Sequence, residues 1–281
     1  MLSQPIIDSA VSNALEEDLA GGEDVTSVAT ISANQSSRAE FRTRKAGVIA
    51  GVPLAIATLK KCGVTDIQTI NSDGSHVKAG EIILQVSGNT RSILLAERTA
   101  LNFLCHLSGI ATVTAQWVTA ITGTKAVIRD TRKTTPGLRV LEKYAVHMGG
   151  GANHRMSLSD AALIKDNHIA AAGDIAQAFS AVTSRYPTLE VEVEVDTLEQ
   201  LSAALAAGAR FILLDNMTPD QCREAVSITN GRAKLEASGG LTLESARRYA
   251  ETGVDYLAVG ALTHSAPILD IGLDFLESSK G

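Results

Sequence analysis

The sequence predicts an α/β protein whose larger part is a β/α barrel of about six strands, fewer than the usual eight, preceded by a smaller domain of mixed elements. Three observations predict it. After Lys125 the chain falls into short apolar runs that end in polar residues and alternate with helical stretches, the pattern of parallel β/α units. No Gly-x-Gly-x-x-Gly opens the first of these helices, which disfavours a dinucleotide-binding doubly wound sheet. The last two units, "EASGG" and "AVGAL", resemble the backbone phosphate cradle that barrels build after their final strands.

Taken in order, the first hundred residues mix an acidic helix around "VSNALEEDL", short strands in "AEFRTRKAGVIAG", a helix through "VPLAIATLKKCG" and a β-rich piece, "IQTINSDGSHVKAGEIILQVSG". That last piece has the shape of half a biotinyl or lipoyl carrier domain, but no matching second half presents a lysine at a hairpin tip. Fold reuse without the carrier function is the reading preferred. From Ser92 apolar residues recur at three- and four-residue spacing, broken only near Gly109, which predicts two successive helices. The six predicted strands are "KAVIRDTRKT", "AALIKDNHI", "LEVEVEVDT", "RFILLDNM", "AKLEASGG" and "DYLAVGAL". Thr197, Thr218 and Thr242 are placed as N-caps of the helices between them, with Gly208 and Gly253 as stops.

Composition narrows the function classes. The chain has 281 residues, 45% of them hydrophobic, enough for one large and one smaller domain. Its 31 acidic and 25 basic residues give a net charge of −6, which argues against wholesale attraction to nucleic acid or an anionic membrane. The opening residues lack a basic region and a continuous apolar segment, so neither a secretory signal nor a transit peptide is expected. The uncharged stretch from Leu107 to Thr124 is rich in Ser, Thr and Gln and too short to span a bilayer. A cytoplasmic location is the resulting expectation. Cys62, Cys105 and Cys222 are widely spaced and odd in number, which suggests buried thiols rather than a disulfide framework or a zinc site.

Catalytic groups of a β/α barrel project from the C-terminal ends of its strands. The six ends deliver, in order, Arg132 with Lys133, Lys165, Glu194, Asp215, Ser238 with Gly239, and Gly260. Cations suit carboxylates or phosphates, carboxylates suit a hydrated Mg²⁺, and a Gly-Ser cradle suits a phosphate. A pyrophosphate-bearing sugar held through Mg²⁺ would engage all three. Residues 129 to 168 carry seven Lys or Arg against four Asp or Glu, a local +3 that would attract a second, carboxylate-rich substrate. Any one such residue alone reads as a solvated loop side chain; six coordinated ends do not.

Some positions stay open on the residues alone. Glu190 and Glu192 are expected to point outward, yet parity does not select Glu194, because all three share a face. In "MGGGANHRM", His154 and Arg155 directly follow the glycines, which favours a mobile anion-binding loop. His76 and His106 are expected to be structural. Asp166 and His168 are undecided, and Arg139 either returns to the site over the Pro136-Gly137 turn or supports the loop.

With these residues assembled, the chain resembles the quinolinate phosphoribosyltransferases over essentially its full length. The matching text includes "EDLAGGEDVTS", "ERTALNFLCHLSGIAT", "DTRKTTPGLRVLEKYAV", "GGGANHRMSLSDAALIKDNHI", "EVEVDT", "LLDNM", "LEASGG" and "AVGALTHSAPILDIGLDF". The resemblance implies an incomplete, about six-stranded β/α barrel (residues 111–267) with an N-terminal α/β sandwich domain (residues 1–110, with the tail 268–281 packed on it). It also implies a homodimer, alone or within a higher assembly, in which each sandwich closes the partner's barrel. The implied reaction converts quinolinate and phosphoribosyl pyrophosphate into nicotinate mononucleotide, pyrophosphate and carbon dioxide, a step of de novo NAD synthesis.

Carried over by position, Arg132, His154, Arg155 and Lys165 would hold quinolinate, with Arg98 reaching in from the other subunit. Lys133, Glu194 and Asp215 would hold phosphoribosyl pyrophosphate, the two carboxylates binding Mg²⁺ directly or through water, and Ser238, Gly239, Gly260 and His264 would surround its 5′-phosphate. The resemblance thereby selects Glu194 from its run, and Lys133, Lys165, Glu194 and Asp215 become the expected catalytic set. The competing readings are a related phosphoribosyltransferase acting on another pyridine and a Schiff-base lyase using Lys165 as its amine.

Overall fold

The computed structural model describes residues 2–276, so the end of the expected tail, 277–281, lies outside the described residues. The strands, in chain order, are β1 (Ser36–Thr43), β2 (Gly47–Val48), β3 (Asp66–Thr69), β4 (His76–Val77), β5 (Ile82–Asn89), β6 (Val127–Arg129), β7 (Ala162–Ile164), β8 (Val191–Val195), β9 (Phe211–Asp215), β10 (Lys234–Ser238), β11 (Tyr256–Ala258) and β12 (Ile271–Phe275). Two compact units result. One comprises the described residues up to 113, Val140–Gly150 and the stretch from Ser265; the other comprises Thr114–Arg139 and Gly151–His264.

The first unit holds an antiparallel sheet in the order β12-β1-β5-β3 and the small β2-β4 pair. Its core gathers Phe41, Leu59, Ile83, Leu84 and Leu104 from the sheet and from the helices Val52–Lys61 and Thr90–Ala120. Here the expected pair of helices is corrected: Thr90–Ala120 is one continuous helix of 31 residues that runs through Gly109. The glycine answers a packing need rather than a break. A Cβ there would lie 2.1 Å from the Pro267 carbonyl oxygen, so only Gly lets that segment approach the helix. His106 pairs with the fully buried Glu142 at 3.0 Å in this unit, a structural use of the imidazole.

The second unit is an all-parallel sheet in the order β6-β11-β10-β9-β8-β7, its six strands being those the short apolar runs mark. Thr197, Thr218 and Thr242 each accept the N–H three residues on, capping the helices Leu198–Ala206, Pro219–Thr229 and Leu243–Ala250. Gly208 and Gly253, both at φ +93°, end the chain's helical runs in the left-handed region. The first strand neighbours the last, so the sheet curls toward closure, and an isolated parallel bridge from Arg129 to Ala152 extends it past β6.

The strand β8 corrects a second expectation. Glu190 lies before the strand and is exposed, but Glu192 is buried at 5% exposure, not turned outward. The helices claim the face carrying Val191, Val193 and Val195, so the alternating Glu face turns into the barrel, where His154 partners Glu192 and Lys165 partners Glu194.

Candidate active site

At the C-terminal ends of the parallel strands lies a cavity of roughly 400 Å³, lined by charged groups from the second unit. Arg132 and Lys133 enter from the loop after β6, Lys165 and Glu194 from the ends of β7 and β8, Asp215 and Ser238 from β9 and β10, and His154 and Arg155 from the loop after the glycines. Eight of the twelve residues singled out above therefore share one cavity. Gly260 lies beside it: a Cβ there would meet Lys133 Cδ at 3.0 Å and the His264 ring at 3.3 Å. Thr263 ties the same corner down by donating to the Lys133 carbonyl at 2.7 Å.

Gly239 follows Ser238 at φ +89°, and a Cβ on it would fall 2.1 Å from Asn216 Oδ1, so the ends of β9 and β10 meet where only glycine fits. Asn216 itself adopts φ +54°, takes its N–H to the Ser238 carbonyl at 2.9 Å and donates its amide to Asp215 at 2.7 Å. Arg98 belongs to the first unit. It is exposed on the Thr90–Ala120 helix of the first unit.

The loop bearing His154 and Arg155 is anchored at both ends. Fully buried Asp130 accepts from Asn153 Nδ2 at 2.6 Å and from the His154 N–H at 2.9 Å. Beyond Arg155, Asp160 accepts from the N–H groups of Met156 and Ser157 at 2.6 and 2.8 Å. Those bonds outweigh the desolvation that opposes them and hold the Asp160 carboxyl down at about 2. Arg139 bridges the two halves of the site from outside the cavity, donating to Thr134 Oγ1 at 3.0 Å and to the Met156 carbonyl at 3.1 Å. His168 Nδ1 accepts the Lys165 N–H at 3.0 Å, and Asp166 accepts from the N–H of Asn167 at 2.7 Å.

The electrostatics of the cavity are unbalanced in a way that points to anions. Burial, and then the positive charge of Arg132, hold the Arg155 guanidinium below its ordinary value. Arg132 Nε is buried without a hydrogen-bond partner. On the other side Lys165 pairs with Glu194 at 2.9 Å. Asp215 is raised above the ordinary carboxylate range by burial first and by the charge of Asp196 second, while Lys165 and Lys133 pull it down.

Two carboxylates that sequence reasoning passed over complete the site: Glu236 lines the cavity, and Glu192 sits against His154. Glu192 Oε2 lies 2.8 Å from His154 Nε2, and Glu236, 1% exposed, binds Arg129 Nη1 at 2.8 Å with its other oxygen 3.4 Å from His154 Nε2. Arg129 also lies 4.5 Å from the centroid of the Tyr256 ring. Burial first, then the Glu192 charge, push Glu236 up to about 7 against the pull of Arg129 and His154. The alternation in "KLEAS" marks Glu236 as the inward residue of its strand, but nothing in the run itself reveals a partner.

Barrel, cation cluster and glycine-lined strand ends together define an α/β-barrel enzyme with a cation-rich cavity at its C-terminal mouth. Residues 24–108 match the model of the quinolinate phosphoribosyl transferase N-terminal domain and residues 110–274 that of its C-terminal domain. The chain belongs to the quinolinate phosphoribosyltransferase family. It is 53% identical to the nicotinate-nucleotide pyrophosphorylase [carboxylating] of Mycobacterium leprae, over 98% of this chain and 100% of that one. It is 44% identical to a probable nicotinate-nucleotide pyrophosphorylase [carboxylating] of Bacillus subtilis, over 94% and 91% of the two chains. The solved nicotinate-nucleotide pyrophosphorylase of Francisella tularensis matches with a TM-score of 0.94 at 40% identity, covering 98% of each chain.

Proposed function

We infer that this protein transfers the phosphoribosyl group of phosphoribosyl pyrophosphate to quinolinate with loss of carbon dioxide, giving nicotinate mononucleotide and pyrophosphate in NAD biosynthesis. Family membership over the whole chain supports the reaction. The observation that carries it in the site is the Arg132–Arg155 pair: burial, and then the Arg132 charge, disfavour the charged form of Arg155, and Arg132 keeps a buried Nε–H without a partner. A ligand with two carboxylates satisfies both. Nicotinate, with one, would leave a half-buried cation unmatched at a cost of about 1–3 kcal/mol.

The chemistry asks for charge placement and not for a nucleophilic side chain. The pyridine nitrogen attacks the anomeric carbon as the bond to pyrophosphate breaks, and pyrophosphate leaves with the electron pair. The quaternised ring then releases its adjacent carboxylate as carbon dioxide, keeping the electron pair on carbon until it takes a proton. Arg132, Arg155 and Lys165 hold the dicarboxylate, and His154 lines the same cavity. Lys133 faces the departing pyrophosphate, and Ser238, Gly239, Gly260 and His264 surround the 5′-phosphate.

The Glu194–Asp215 corner suits a divalent ion: its donors are carboxylate oxygens, and Asp215 is raised by burial first and by the charge of Asp196 second, a penalty a cation would relieve. Magnesium bound there would supply neutralisation of the pyrophosphate charge. We further read the protein as a cytoplasmic homodimer, alone or within a larger assembly, in which Arg98 of one subunit completes the other's site. No helix among the described residues is long and apolar enough to cross a membrane.

The test is an assay of purified protein with each pyridine. Carbon dioxide released from quinolinate only when phosphoribosyl pyrophosphate is present, with nicotinate inert, is the expected result. Equal or better turnover of another pyridine would overturn the substrate, and a borohydride-stable adduct on Lys165 would overturn the reaction class.

A further inference from the structure

The site contains a hydrogen-bond chain whose direction the geometry fixes. The main-chain N–H of Arg155 donates to His154 Nδ1 at 2.7 Å. A main-chain N–H can only donate, so Nδ1 carries the lone pair and the ring proton sits on Nε2. That Nε2–H points at Glu192 Oε2, 2.8 Å away, with Glu236 Oε1 at 3.4 Å. Both ring nitrogens are thus engaged within the protein. His154, Glu192 and Glu236 bring ligand atoms within 4.8 Å of one another, as a metal site would. The Nε2 proton removes the lone pair a metal would need, and Arg129 already matches the charge of Glu236.

We propose that Glu192 and Glu236 are positioning residues for the dicarboxylate substrate, acting through His154 on Arg155. Glu192 holds the ring in one tautomer and one orientation. The ring holds the Arg155 main chain, and the far end of that side chain is fixed by donation from Nη1 to the Ala161 carbonyl at 3.0 Å. Glu236 engages Arg129 at 2.8 Å, so that Glu192 is left to the imidazole. Side-chain order in such a chain is worth having because a guanidinium fork must meet a carboxylate in plane and at hydrogen-bond distance. His154 therefore acts on the substrate through its neighbour, and not by offering a ring N–H.

The inference rests on the reading of the site as a quinolinate phosphoribosyltransferase, and steady-state kinetics separate the two. No turnover of quinolinate by the unmodified protein sinks that reading and this inference with it. Given turnover, Glu192→Ala is expected to raise the KM for quinolinate about tenfold or more, with kcat and the KM for phosphoribosyl pyrophosphate within about threefold. Glu192→Gln, whose amide oxygen still accepts from Nε2–H, is expected to return the quinolinate KM to within about threefold of the parent. An unchanged or lowered quinolinate KM in Glu192→Ala, as when a freed Nε2–H binds substrate directly, overturns the inference alone. Should Glu192→Ala fail to fold, long-range ¹H–¹⁵N spectra of the parent protein decide. A protonated Nε2 and bare Nδ1 on His154, with and without quinolinate, support the chain; a proton on Nδ1 breaks it.

Discussion

The ammonium of Lys165 lies 2.9 Å from a carboxylate oxygen of Glu194, so the ends of the neighbouring strands β7 and β8 meet as an ion pair at the mouth of the barrel. The lysine is 46% exposed, and a pair that open contributes little to stability. Lys165→Ala should therefore change the unfolding free energy by less than about 1 kcal/mol in urea. The same change should lower kcat/KM for quinolinate on the order of 100-fold, since a cation for a desolvated carboxylate is lost. Loss of stability and activity in proportion would assign the pair to the scaffold.

Gly109 and the Pro267 carbonyl give a prediction of opposite character. Alanine is the better helix former by about 1 kcal/mol, so propensity alone would stabilise Gly109→Ala. The new Cβ would fall 2.1 Å from a backbone oxygen that cannot rotate away. The clash should win, with a net loss of about 1–3 kcal/mol in equilibrium unfolding. A stabilised variant would show that the chain near Pro267 yields readily.

Glu236 sets a pH dependence whose sign follows from its burial. Its folded value, about 7, lies above the ordinary glutamate value of 4.5, so the folded state binds the proton more tightly. Stability from this group is intact below the unfolded value and declines as pH rises from about 4.5 to 7, by at most about 3 kcal/mol. Glu236→Gln should flatten that decline, as measured by unfolding midpoints of both proteins across the interval. Parallel profiles would place the titration elsewhere.

The shared site proposed above is open to complementation. Arg98→Ala and Lys133→Ala homodimers should each fall to background. Mixed dimers refolded from both should regain about a quarter of the parent activity when mixed equally, because half the dimers are hybrids with one intact site. Mixed dimers that stay inactive would confine each site to one chain.

Much of this was legible beforehand because the relevant signals are local. The barrel strands are short apolar runs, all but the last closed by the polar residue delivered, and each of Thr197, Thr218 and Thr242 announces its helix with a hydroxyl. What escaped depends on long-range partners. Gly109 reads as a breaker until Pro267 is seen against it, and Glu192 reads as solvated until His154 arrives from 38 residues away. Buried charge is invisible in a pattern that scores each residue by its own polarity. Asp130, fully buried and holding the Asn153-His154 backbone, was missed for the same reason.

The ring of strands has a seam. Beyond β6 the sheet continues only through the Arg129–Ala152 bridge, and among the described residues β7 has no strand partner other than β8. Arg132 and Arg155 stand on one bank of that seam and Lys165 on the other. A dicarboxylate held by all three would act as a clasp, doing for the barrel what ladder hydrogen bonds do around the rest of its circumference. Substrate binding and barrel closure are then one event. At a concentration 100 times its dissociation constant the ligand would add about 2.7 kcal/mol of stability. The slowing of amide exchange should be concentrated in β7 and residues 152–155, the two edges it draws together.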